Sequence, residues 1–215
     1  QISQVFVTVP RAEFLSKLML TIPALLIAIC APFAGYVIDR WGRKKLLLFA
    51  LLLYGAAGTS GFFMSNLHAI LISRAFLGVA VAGVMTTSTT LIADYFSGAD
   101  RRYFIGLQAA FMALGGVVYI SIGGWFADIN WRMPFLIYMI AWLILPVAAY
   151  FLYEPSDIKT ENQQQRNTLL AHPYVIITLI YAIAFINMAI FYMTPVQLPF
   201  LLKQLLNSSN SQIGL

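Results

Sequence analysis

The sequence is poor in charge, cysteine and histidine. Only 10% of its 215 residues are charged, and there are one cysteine and two histidines. Cys30 cannot make an internal disulfide, and alone it cannot build a thiolate metal site. Inside an apolar run it reads as a small packing residue. His68 and His172 sit at the ends of apolar runs, and no run contains paired carboxylates or a His–Asp set. An enzyme would have neither nucleophile, base nor metal ligands here, so no catalysis, metal or cofactor is expected. The N-terminus also lacks a basic segment ahead of a short apolar core, so no signal peptide is read.

What the chain has instead is apolar surface. Hydrophobic residues make up 60% of it and the mean hydropathy is +0.81, against roughly 45–50% apolar in a soluble domain. An all-α integral membrane protein is the expected class. Six runs are long enough to cross the bilayer, which takes about 20 helical residues each. They cover roughly 14–38, 46–64, 69–96, 104–127, 134–153 and 173–202. A barrel is excluded because its strands would alternate apolar and polar residues, whereas these runs are apolar all round.

The net charge of +5 does not point to nucleic acid, which needs basic residues gathered on one solvated face. The bases fall instead in the connections. Arg40, Arg43, Lys44, Lys45, Arg101, Arg102, Lys159 and Arg166 follow alternate runs, while Arg11, Lys17, Arg132 and Lys203 lie on the opposite side. The positive-inside rule places loops 39–45, 97–103 and 154–172 in the cytoplasm of a multi-pass protein of the inner or plasma membrane. Both ends of the chain then fall outside, which leads us to expect a fragment of a larger protein with a further helix before Gln1. The polar stretch 154–172 reads as a cytoplasmic linker between two membrane domains.

Charge is densest at "GYVIDRWGRKKLLL", where Asp39, Arg40, Arg43, Lys44 and Lys45 fall within seven consecutive positions. The bases alone would serve as topology anchors. Asp39 is not required for that, and a carboxylate close to a helix N-terminus gains from the dipole. Its i, i+4 spacing to Arg43 favours an ion pair if the backbone stays helical.

The pattern Gly35-xxx-Asp39-Arg40-x-Gly42-Arg43-Lys44 resembles the signature loop between the second and third helices of major facilitator superfamily transporters. Further likenesses follow in order. Arg74 with Gly78 resembles the family's fourth-helix Arg-xxx-Gly motif, which is linked to proton coupling; the alternative is an arginine that snorkels to the outer interface. Asp94 falls where the family has an acid in its cytoplasmic charge cluster; taken alone, it would be a helix-end acid at the interface. Gly106, Gly115, Gly123 and Gly124 resemble the glycine skeleton of the antiporter motif, and equally serve helix packing. Tyr119-Ile120 replaces the Gly-Pro pair that motif expects, which weakens drug–proton antiport. "WFADINWRMPF" resembles the outer loop before the sixth helix.

The resemblance implies that the chain covers helices two to seven of twelve in a major-facilitator-type fold. Residues 1–153 would form an N-terminal bundle without its first helix, 154–172 the connector, and 173–215 the start of the C-terminal bundle. It implies alternating access around a central site, with Asp39, Arg43 and Asp94 latching the inner side. Mid-span polar and aromatic residues, Gln108, Phe111, Tyr119 and Asn187, are the cavity candidates, beside the hydroxyl run Thr86–Thr90. The expected function is secondary transport of a small organic solute, the expected partners being that solute, protons and the lipid bilayer. Efflux of a drug, metabolite or sugar is the first reading, and uptake of a sugar, organic acid or similar solute the second. A non-transporting sensor or scaffold of the same fold stays open. A monomer is expected.

Overall fold

The structure is a computed structural model that describes residues 12–155, together with the single residue Ile186. The described elements are helical: α1 (Ala12–Trp41), α2 (Arg43–Phe63), α3 (Leu67–Tyr95), α4 (Gly98–Ile129), a 3-10 helix (Met133–Met139) and α5 (Ile140–Phe151). The sixth expected span, 173–202, and the candidate Asn187 lie outside the described residues. Among the described residues, five helical stretches are long and apolar enough to cross a membrane. In hydrocarbon only a helix or a closed barrel satisfies its own backbone, and the apolar all-round sequence takes the helix.

The connections are shorter than the charge pattern implied. Asp39 and Arg40 belong to the last turn of α1, Arg43–Lys45 begin α2, and α3 is separated from α4 only by Phe96 and Ser97. The stretches 39–45 and 97–103 are therefore mostly helix ends, with only Gly42 in the first and Ser97 in the second outside a helix. A helix can run past the hydrocarbon without penalty, because long basic side chains reach water from its terminal turns. Between α1 and α2 the path breaks at Gly42, with φ +91°, a conformation that suits glycine.

α3 is the centre of the bundle and packs along both α1 and α2. At Gly78 the approach to α1 is so close that an added Cβ would lie 2.7 Å from the Pro23 carbonyl oxygen. One cluster of buried side chains joins Met19, Leu67, Ile70 and Phe135; a second joins Leu47, Leu51, Leu91 and Ala148. α4 buries no residue among those described.

A further seam holds the 3-10 helix and α5 to α2. Gly55, Gly58 and Gly61 are spaced by three residues on α2, and their missing side chains admit the rings of Trp142, Tyr138 and Phe135 in turn. A methyl group on any of the three would collide with its ring. Small residues let helices approach closely where lipid offers no hydrophobic driving force. The glycines that the sequence singles out for helix packing on α4 are less crowded among the described residues. There, Gly106 has open space, Gly115 meets only Tyr119 of its own helix, and Gly123 just touches Ile137 at 3.9 Å.

Candidate functional site

One end of the bundle collects Trp41 and Arg43, the end of α3, the start of α4 and the end of α5. The first turn of α2 exposes backbone amides that no intrahelical carbonyl can satisfy. Glu154 supplies the acceptors. Its Oε1 accepts from the Arg43 amide at 2.6 Å and its Oε2 from the Lys44 amide at 2.9 Å. A carboxylate at a helix N-terminus also meets the positive end of the dipole. The Arg43 side chain turns the other way, and Nε donates to Asp94 Oδ2 at 2.9 Å. The rings of Tyr95 and Tyr153 stack with centroids 4.5 Å apart, and the Tyr95 hydroxyl donates to the Tyr153 carbonyl. The ends of α2, α3 and α5 are thereby knotted together.

Not every residue of the charge-dense stretch joins the knot. Asp39 is exposed and makes no ion pair with Arg43 among the described residues. The i, i+4 spacing favoured that pair only along a continuous helix, and the turn at Gly42 breaks it. Arg40 lies over the Tyr36 ring at 4.7 Å. Gly35 has open space. Glu154 escaped sequence reading, which gave it to the linker. The available signal was a carboxylate directly after a span and before Pro155.

Arg74 lies far from this end. It is on α3, about 10 Å from the start of the helix at 1.5 Å per residue, and only 7% exposed. It faces the bundle and does not snorkel. One Nη donates to the Gly58 carbonyl at 3.1 Å, and the guanidinium carbon is 4.7 Å from the Phe135 ring centre and 5.1 Å from that of Tyr138.

The cavity candidates separate as well. Gln108 and Phe111 line a cleft of about 480 Å³ with Leu47, Ser88, Leu91, Tyr95 and Leu152, while Tyr119 is not among its lining residues. Gln108 reaches Thr89 Oγ1 at 3.4 Å. Thr89 and Thr90 return hydrogen bonds to carbonyls one turn back on their own helix, a common fate of hydroxyls in membrane helices. Among the described residues no group of three His, Cys, Asp or Glu could hold a metal ion.

Long apolar helices, a knot of charge at one end and a buried arginine define a multi-pass helical membrane protein. Comparison of its sequence with known families is specific. The model of the Major Facilitator Superfamily matches residues 11–215, and the chain belongs to that family.

Its relatives include the bacillibactin exporter of Bacillus subtilis (strain 168), 35% identical over 130 residues, which are 57% of this chain and 32% of the exporter. Multidrug resistance protein 2 of the same organism is 29% identical over 65% of this chain and 35% of its own. The inner membrane transport protein YnfM of Escherichia coli (strain K12) is 29% identical over 68% of this chain and 37% of its own. The chain spans about a third of the length of these relatives.

Proposed function

We propose that this chain is part of a secondary transporter that moves a small organic solute by alternating access, as an exporter coupled to protons. The observation that carries the reading is the knot at Arg43, Asp94 and Glu154, which fastens the ends of α2, α3 and α5. Alternating access needs rigid bundles that rock as units, and such a knot keeps one bundle rigid at the face that must open and close. We place this face in the cytoplasm, with 1–153 as the bundle, 154–172 as the connector and 173–215 as the beginning of the second half. The relatives named as an exporter and as a multidrug resistance protein favour efflux of an organic solute.

Arg43, Asp94 and Glu154 form the latch, with Lys44 held through its amide. Asp39 and Arg40 remain at its solvated edge. Gln108 and Phe111 supply an amide and an aromatic surface for the solute, a combination that binding sites for organic molecules use.

The test is solute flux in proteoliposomes containing the full-length protein, with and without an imposed proton gradient. Faster export of an organic solute under the gradient is the expected result. Flux that ignores the gradient would end the coupling, and absence of flux for any organic solute would end the transporter reading.

A further inference from the structure

Arg74 is a buried cation with no carboxylate beside it among the described residues. Its side chain forms no ion pair among the described residues, and its Nε has no hydrogen-bond partner there. A charge within a span costs about 2.5–3.5 kcal/mol on insertion scales, so something must compensate it. What surrounds Arg74 is one carbonyl, from Gly58, and two aromatic faces, from Phe135 and Tyr138. Gly58 and Gly61 complete the chamber: a Cβ on Gly61 would press on Phe135 and lie 3.1 Å from an Arg74 Nη, and one on Gly58 would strike Tyr138.

We propose that Phe135 and Tyr138 are positioning residues for Arg74, their π faces acting in place of a carboxylate to clamp the start of the fifth span onto α2 and α3. The backbone of this segment is what allows it. Met133–Met139 is a 3-10 helix, and in a 3-10 helix residues i and i+3 eclipse, about 6 Å apart along the axis. Phe135 and Tyr138 therefore present their rings on one side, spaced to admit a flat guanidinium. An α-helix at about 100° per residue would turn Tyr138 away by about 60° and draw the two positions about 1.5 Å closer. The clamp and the 3-10 geometry are thus one element, and each holds the other. Tyr54 packs against Tyr138, with ring centres 5.3 Å apart and planes inclined at 58°. The inference concerns the integrity of the bundle and does not depend on solute or proton coupling.

Cation–π attraction follows the negative charge of the ring face, which aromatic fluorine withdraws with little change of size. The experiment places mono-, di- and trifluorophenylalanine at position 135, and in parallel at 138, in the full-length protein in lipid nanodiscs, and reads thermal unfolding. Tm is expected to fall stepwise, by roughly 1–2 °C per fluorine. The same series at Phe62, which packs against the same apolar cluster, should be flat. In an Arg74→Met background the slope at 135 and 138 should vanish. Should that variant fail to fold, Phe62 serves as the control, together with Tyr138→Phe, which keeps the ring and most of the stability, against Tyr138→Leu, which does not. A flat series at 135 and 138, or an equal slope at Phe62 or in the Arg74→Met protein, would overturn the clamp.

Discussion

Arg43 and Asp94 are 51 residues apart in sequence and 2.9 Å apart in space, Nε to Oδ2, so that the first turn of α2 is fastened to the last turn of α3. Both side chains are partly exposed, at 20% and 27%. The pair is a charge-assisted bond at an interface, short of a buried ion pair, and its strength is expected at the upper end of the surface salt-bridge range of about 0–1 kcal/mol. Its position gives it leverage.

The first prediction concerns this pair. A double-mutant cycle with Arg43→Gln and Asp94→Asn, read by thermal unfolding in detergent, should return a coupling of about 1 kcal/mol. Asp39→Asn should change stability by less than about 0.5 kcal/mol, the ordinary range for a surface substitution. An Asp39 effect equal to that of Asp94 would place Asp39 in the knot.

Glu154 is predicted to act as a helix cap supplied from another element. Loss of a cap costs about 0.5–2 kcal/mol. Glu154→Ala should lie in that range, and Glu154→Gln, which keeps an acceptor but no charge, should cost less. Hydrogen exchange of the Arg43 and Lys44 amides gives the direct reading, since both should exchange faster in Glu154→Ala.

Gly42 should be the glycine least tolerant of substitution at this end. Its φ of +91° disfavours any L side chain, and an added Cβ would lie 2.7 Å from Glu154 Oε1. Gly42→Ala strains the turn by roughly 1–2 kcal/mol and displaces the cap as well. Gly98, at φ +57° with open space around it, should accept asparagine with a smaller loss. Unfolding temperatures of the two variants check the order.

The glycine seam gives the sharpest contrast. Gly58→Ala drives a methyl group into Tyr138 and should destabilise by about 1–3 kcal/mol. Gly106→Ala meets nothing within 4 Å and should be neutral or gain up to about 1 kcal/mol from helix propensity. Equal losses at the two sites would mean that Gly106 packs against a part of the protein beyond the described residues.

Much of the architecture was legible in the chain itself. The five described spans agree with the apolar runs because hydrocarbon leaves a helix as the only open structure, and run length then sets the span. The charged positions were legible too, but their geometry was not. Asp39 and Arg43 have helical spacing on paper, and a single positive φ at Gly42 removes it. Arg74 was visible as a costly charge, while the rings that compensate it lie 61 and 64 residues further on. Periodicity cannot report such a distance. Glu154 stood just beyond a span, and only the folding of α5 against α2 brings it to the amides it caps.

The amino-acid sequence by itself determined a helical membrane protein with its charge concentrated at one end, because both follow from local composition and the chemistry of the bilayer. Tertiary structure alone decided which charges meet, which glycines are crowded, and what surrounds the buried arginine. Those outcomes depend on the crossing of helices remote in sequence.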